Sequence, residues 1–267
     1  MPEPAQRLAE LLSEPRPTLD RIMAVVASIA PSPPTEDEIV VRFDALAAEL
    51  VPGGEALSSN ESDLDRVIRH VFVTLGFVGN AAHYYSPDNS FIHRVLDTRR
   101  GIPLTLAAVG AEVARRHGVD LRVVGLPGHV VLGIGPEPER WIDPFRAGMQ
   151  LDLEMCRWIA GRSIPIERFH HDMTRPIDAT AFTTRMLGNL KLVYRRRGDL
   201  GGLAAALNLS VAIPNSPVSE RQELAAVLAA LGRDELAAVQ RERLIVDDPA
   251  NAASHRVALH RHRARRN

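Results

Sequence analysis

The sequence predicts an α+β protein in which helical segments flank one block of short strands. An alanine-rich helical pattern covers Pro103 to His117. Two β-branched runs follow it, LRVVGL and HVVLGI, separated by Pro127-Gly128, and a third short strand is expected around Arg140 to Ile142. Helical patterning returns after Thr180 with no further strand pattern. Because such short links join consecutive strands as hairpins, the predicted sheet is antiparallel and packs against the preceding helix.

The first 50 residues carry apolar side chains at helical spacing, and prolines divide them into short helices. Thr18 and Thr35 stand at the expected N-caps. A polar, glycine-rich break at Pro52 to Glu61 follows, and a helix resumes at Ser62. The sequence therefore predicts an N-terminal helical region over residues 1–60, followed by the core over residues 61–172.

The last third of the chain shows a weak internal repeat. Gly198-Asp199 recurs as Gly232-Arg233 at an offset of 34 residues, and Pro214 recurs as Pro249 at 35. This is the period of tetratricopeptide helix pairs. Residues 173–267 are therefore predicted to form tetratricopeptide-like helices with a basic tail, and such helices favour a protein or peptide partner.

Composition argues against several classes of partner. Among the 267 residues, 32 basic and 33 acidic side chains give a net charge of -1, so no nucleic acid is expected. The tail from Arg256 to Asn267 is basic, as solvated termini often are. No apolar run is long enough for a membrane span, and one cysteine permits no internal disulfide. We expect a cytoplasmic protein, and the sequence does not indicate its oligomeric state.

Two residues in the strand block are typical of a catalytic site. His129 follows the Pro127-Gly128 turn and opens an apolar strand, and Asp143 lies fourteen residues later before a proline. A histidine held by a carboxylate is the base and orienting pair of nucleophilic catalysis. A structural hydrogen bond between two strands is the alternative interpretation.

Several further motifs surround this pair: Gly79-Asn80 before the tyrosines, Asn89-Ser90, the helix start RRGIPLTL at Arg99 to Leu106, and Asp143 to Phe145. Together they resemble the SirB family of transglutaminase-like proteins, and RMLGNLK from Arg185 resembles a segment of the same family. The resemblance implies a papain/transglutaminase-like core, in which a helix packs on an antiparallel sheet. It also implies a cysteine nucleophile at the start of that helix, with His129 and Asp143 on adjacent strands.

The nucleophile is where this chain departs from the family pattern. The expected cysteine position falls at or beside Pro103, and the neighbouring residues include no thiol. Thr105 is a candidate hydroxyl nucleophile that needs general-base assistance, although local hydrogen bonding is its commoner use. Cys156 lies in an apolar helical pattern, where a cysteine is usually a small buried hydrophobic residue.

Candidate binding residues precede the alanine-rich helix. Arg99 and Arg100 are predicted either to bind an anionic group or to pair with Asp97, Asp88 or Asp143. Tyr84, Tyr85, Asn89 and Ser90 form either a wall of the same cleft or an ordinary turn. Four histidines (His83, His93, His170 and His171) match no metal-ligand spacing, and no cofactor is predicted.

Three hypotheses follow. The first is a transglutaminase-like binding or scaffold module that has lost its cysteine. The second is a hydrolase or acyltransferase that uses His129 and Asp143 with Thr105 or a water molecule. The third is a vestigial site whose residues only stabilise the core.

Overall fold

The computed structural model describes residues 3–50 and 62–264. The chain divides into two compact units, one comprising Arg16–Met186 and the other comprising Met1–Pro15 with Leu187–Asn267. The three-part division at residues 60 and 172 stays a prediction, and the predicted break at Pro52 to Glu61 lies outside the described residues.

Along the chain, helices precede and follow the strand block, as the periodicity predicts. The helices are α1 (Pro4–Leu12), α2 (Leu19–Ala27), α3 (Glu36–Ala48), α4 (Asp63–Arg69), α5 (Ile92–Thr98), α6 (Pro103–Arg116), α7 (Leu153–Ala160), α8 (Ala179–Arg197), α9 (Leu200–Ser210), α10 (Val218–Ala230), α11 (Asp234–Asp247) and α12 (Ala252–Ala264). The strands are β1 (Val78–Gly79), β2 (Arg100–Gly101), β3 (Leu121–Val124), β4 (Val131–Ile134), β5 (Trp141–Asp143) and β6 (Met149–Leu151). Within the described ranges, no helix is both long and apolar enough to cross a membrane.

The main sheet is antiparallel with the order β3-β4-β5-β6. Val124 pairs with Val131, Leu132 with Ile142, and Trp141 with Leu151. The three predicted strands are confirmed, but β6 and the two-residue parallel pair β1-β2 were not predicted. Both are too short for a period-two pattern, and Met149 and Gln150 in β6 are exposed, so neither carries the β-branched signal of a core strand.

Helix α6 is the centre of the larger unit, since every residue from Pro103 to Ala114 is buried. Its small side chains let the sheet approach closely. At Gly110, an added Cβ would lie 2.8 Å from Leu132 on β4 and 3.0 Å from the Phe72 ring. The opposite face of the sheet packs on α7, because Val131 and Trp141 share an apolar cluster with Cys156. The predicted packing of a helix on an antiparallel sheet is thus confirmed.

Of the two expected threonine N-caps, one forms capping hydrogen bonds. Thr35 and Glu38 form a reciprocal capping box at the start of α3. Thr18 stands at the N-cap of α2 without bonding its backbone amides. At the end of α6, Gly118 has a φ of +70°, which a glycine adopts without strain.

A buried charge network joins α2 to α6. The Arg116 guanidinium lies 2.6 Å from the Asp20 carboxylate, 2.7 Å from Glu112 and 2.7 Å from Asp44. Asp20 and Glu112 are both buried. Burial raises the pKa of Asp20, but hydrogen bonds from Thr18 and Arg116 together lower it by more. The net pKa therefore lies below its ordinary value.

We expect Asp20→Asn to destabilise the fold by about 3 kcal/mol at neutral pH, because it removes one partner from a buried ion pair. Since the folded-state pKa of Asp20 is lowered, its contribution is present above the unfolded-state pKa and is lost as pH falls through the folded-state pKa. Urea unfolding of wild type and variant at neutral and acidic pH measures this difference.

Asp44→Asn is the matched control. The Asp44 carboxylate bonds the same arginine but is 61% exposed, so its loss should cost about 1 kcal/mol or less. Equal losses in the two variants, or a difference that does not shrink at acidic pH, would contradict the role assigned to Asp20.

Candidate functional site

The structure brings His129 and Asp143 together. Nε2 of His129 donates to Oδ1 of Asp143 over 3.1 Å. The His129 side chain is 18% exposed, whereas Asp143 is fully buried. Nδ1 of His129 has no hydrogen-bond partner among the described residues, so the ring is held on one side and open on the other.

Asp143 also organises the turn that leaves β5. Its Oδ1 accepts a second hydrogen bond, from the Phe145 amide over 2.9 Å. The other oxygen, Oδ2, is buried without a hydrogen bond, and its nearest cation is the Arg146 guanidinium at 3.8 Å. The carboxylate is therefore fixed by one oxygen, which serves both the imidazole and the backbone.

Arg185 of α8 fixes the loop that carries His129. Its Nη2 donates to the carbonyl oxygens of Leu126 and His129 over 2.8 Å and 3.2 Å. An added Cβ on Gly125 would lie 2.2 Å from Nη1, so the glycine leaves room for this guanidinium. Burial lowers the pKa of Arg185. The only signal for it in the sequence was the RMLGNLK segment.

Thr105 lies in the first turn of α6, where the nucleophile of the family pattern is expected. Its hydroxyl donates to the Asn89 carbonyl over 2.7 Å and lies 3.2 Å from the Ile102 carbonyl. It makes no hydrogen bond to His129. The Thr105 hydroxyl thus donates to carbonyl oxygens and not to a base that could remove its proton. A catalytic role for Thr105 stays a prediction.

Cys156 lies in α7, inside the apolar cluster beneath the sheet. Burial, with smaller effects from Asp152 and Asp143, raises the pKa of its thiol to about 12. A thiol with this pKa is almost entirely protonated at neutral pH and is a poor nucleophile.

Asn89 builds the loop before α5. Its side chain donates to the carbonyl oxygens of His83 and Tyr84 over 2.7 Å and 3.1 Å, and it accepts from Asn80 over 2.9 Å. Ser90 is buried at the end of the 3-10 turn Pro87–Asn89. The Asn89 side chain therefore holds the loop from inside and Ser90 is packed within it, and a ligand-binding role for either residue stays a prediction.

A row of ring contacts links Tyr85 and Tyr84 to His129 through Phe145. Tyr84 meets Tyr85 edge-to-face at 5.3 Å and Phe145 at 6.0 Å between ring centroids, and Phe145 meets His129 at 6.5 Å. Burial, then the neighbouring Tyr85, raises the pKa of Tyr84. Phe145 belongs to the Asp-Pro-Phe motif, but no pattern in the sequence indicates that its ring joins these elements.

Arg99 and Arg100 take different roles. Arg99 has a φ of +58° at the end of α5, and its guanidinium lies 4.7 Å from the centroid of the Phe77 ring. Arg100 is exposed. Neither forms an ion pair among the described residues; Arg42 pairs with Asp97, Arg94 with Asp88 and Arg146 with Asp143 instead. The part of the chain that the structure describes contains no group of three side chains suited to a metal ion.

Phe145 is packed without clearance against β1. An added Cβ on Gly79 would lie 2.4 Å from its ring. We expect Gly79→Ala to displace the ring and to destabilise the fold by about 1 to 3 kcal/mol through overpacking. Thermal unfolding measures the loss, and the His129 ring signals in NMR spectra should shift.

Gly188→Ala in α8 is the control, since an added Cβ there meets nothing within 4 Å and alanine favours a helix. An unchanged His129 signal in Gly79→Ala would contradict the contact between Phe145 and His129.

The chain is similar to several known proteins. A family model described as "Transglutaminase-like superfamily" matches residues 37–188. A UPF0162 protein of Xylella fastidiosa (strain Temecula1) is 35% identical over 162 residues, which are 58% of this chain and 57% of that protein. The mouse F-box only protein 21 is 29% identical over 144 residues, 51% of this chain and 22% of its own length.

A solved structure of menin, titled for its binding site for the Mixed Lineage Leukemia protein, aligns with a TM-score of 0.42 at 14% identity, covering 96% of this chain and 68% of menin. That similarity is too low to support an argument. The matched stretch spans little more than half of the Xylella protein. Because the family model covers more than half of the sequence and includes both His129 and Asp143, the chain belongs to the transglutaminase-like superfamily.

Proposed function

We propose that this protein is a SirB-type binding or scaffold module of transglutaminase-like fold that works without a thiol nucleophile. The observation that carries the proposal is the state of Cys156. It is the single cysteine of the sequence, it is fully buried, and burial raises its thiol pKa to about 12. A cytoplasmic location suits a chain with one unpaired thiol.

The start of α6 supports the same proposal. Pro103 is its first residue, and proline suits that position because its missing N–H would have no partner there. The Thr105 hydroxyl is used to anchor the Asn89 loop. The helix terminus that would acidify a thiol therefore carries a rigid apolar turn and a structural hydroxyl.

The C-terminal helices supply the proposed partner surface. Neighbouring helices from α9 to α12 pack in sequence order, as tetratricopeptide-like pairs do. On α11, the apolar side chains of Leu236, Val239 and Val246 are 51%, 43% and 78% exposed. Their spacing of three and seven residues places them on one face of the helix. An exposed apolar face of this kind is typical of a protein-binding surface.

We expect the double variant Leu236→Glu with Val239→Glu to lose a partner that the wild type captures from lysate of the cells that produce it naturally, because two charges disrupt an apolar contact. His129→Ala should retain that partner. Quantitative mass spectrometry of the captured proteins measures both.

Val73→Glu is the matched control, since Val73 is 67% exposed and lies in the other compact unit. Identical protein sets from wild type and double variant would contradict the proposed surface. Hydrolysis of any amide by the purified protein would contradict the loss of catalysis.

A hydrolase or acyltransferase is the second candidate, and the unbonded Nδ1 of His129 favours it. With Nε2 donating to Asp143, the Nδ1 lone pair could accept a proton from a water molecule, or from Thr105 if its hydroxyl left the Asn89 carbonyl to which it donates. The 18% exposure of the side chain leaves the ring accessible to a small reactant. Asp143 would keep the ring in this tautomer and stabilise its protonated form.

This candidate predicts turnover of an ester or amide substrate that falls by about 100-fold or more in His129→Ala, which removes the base, and in Asp143→Asn, which removes the carboxylate that orients it. Steady-state kinetics against a panel of chromogenic esters measures it. Rates that match wild type in both variants would exclude the enzyme, and a fall in thermal stability alone would favour a purely structural pair.

A further inference from the structure

A surface cavity of about 620 Å³ lies beside β1. Its wall consists of Gly79, Asn80, Ala81, Ala82, His83, Ser86, Asp88, Asn89, Thr98 and Arg100. Neither His129 nor Asp143 lines it. The cavity is therefore a second feature of the same region, distinct from the pair that the proposed function concerns.

Arg100 is the strongest binding group in this wall. Its side chain forms no ion pair among the described residues, although two carboxylates are near in sequence. Asp97 lies 2.7 Å from Arg42 and Asp88 lies 3.8 Å from Arg94, so both acids have other partners. The guanidinium keeps its donors for another acceptor, and a planar fork of N–H groups suits a carboxylate or a phosphate.

The backbone adds donors to the same wall. The Asn80 amide donates to the Gly101 carbonyl, and the His83 amide donates to the Asn80 side chain over 3.3 Å. Between them, the amides of Ala81 and Ala82 make no hydrogen bond to any residue that the structure describes. Successive free amides in a turn form a concavity that binds anions.

The loop that carries these donors is held rigidly. The buried Asn89 side chain bonds Asn80 and the carbonyls of His83 and Tyr84, and its own carbonyl accepts from Thr105 of α6. Preorganised donors lose little conformational entropy when an anion binds, so they bind it more tightly than flexible ones.

We propose that this cavity binds a compact oxyanion group, held by the Arg100 guanidinium and by the amides of Ala81 and Ala82, with His83 at its rim. The group is the phosphate of a phosphate ester or a carboxylate of an organic acid, which share this chemistry. The single acid of the wall, Asp88, is offset by Arg94.

The cavity also connects with the histidine pair through one packing contact. Gly79 forms part of its wall, and the Phe145 ring packs on Gly79 and meets His129 edge-to-face. The proposed anion site does not depend on catalysis by His129, because neither His129 nor Asp143 lines the cavity.

Isothermal titration of the full chain at low ionic strength, with inorganic phosphate and separately with acetate, tests the proposal. We expect one saturable site for at least one of the two anions. Arg100→Gln should raise its Kd by about tenfold or more, since a charge-assisted bidentate contact is lost. Tighter phosphate binding assigns a phosphate ester, and tighter acetate binding assigns a carboxylate.

Arg122→Gln is the control, because Arg122 of β3 is also exposed but pairs with Asp120. It should leave the Kd unchanged. NMR titration of the wild type adds a readout that needs no variant: the amide signals of Ala81 and Ala82 should shift with the same Kd. Absence of saturable binding of either anion, an unchanged Kd in Arg100→Gln, or unmoved signals at both alanines would overturn the proposal.

Discussion

The close approach of β4 to α6 determines the position of every group in the candidate site. It depends on Gly110, because any side chain there would collide with Leu132 and Phe72. His129 precedes β4, Asp143 ends the neighbouring strand, and the turn after Asp143 contacts α6. A wider spacing between α6 and the sheet would move the His129 imidazole away from α6, whichever residues α6 carried.

Much of this arrangement could be predicted from the sequence, and the reason is local. The Pro127-Gly128 turn and the β-branched runs give antiparallel strands, and the alanine-rich pattern from Pro103 gives a helix that many neighbours can approach. Asp143 ends β5 as expected, whereas His129 lies two residues before β4 and not on that strand, and the two still meet because β4 and β5 are neighbours. Strand β6 was missed because a run of three residues, of which only Leu151 is buried, carries no periodic signal.

Contacts between distant segments could not be predicted in this way. Asn89 and Thr105 each looked like a ligand-facing or catalytic residue by type, yet they bond to one another and to the backbone. Arg185 lies more than 50 residues from the loop that it holds, and no local pattern relates the two. Phe145 contacts Gly79 only because the parallel pair β1-β2 brings that glycine beside the turn. The sequence shows which side chains are polar. Only tertiary packing decides which of them form hydrogen bonds within the protein and so have none left for a ligand.

Because Oδ1 of Asp143 accepts two hydrogen bonds, an aspartate at this position is not by itself evidence of catalysis. One oxygen accepts both from the imidazole and from the backbone of the turn that ends β5. Selection for the turn alone would therefore retain an aspartate or asparagine here after catalysis had been lost. Among homologous chains, a retained Asp-Pro-Phe motif is then evidence for the fold, whereas exchange of this residue for asparagine would mark lineages in which the carboxylate charge no longer matters.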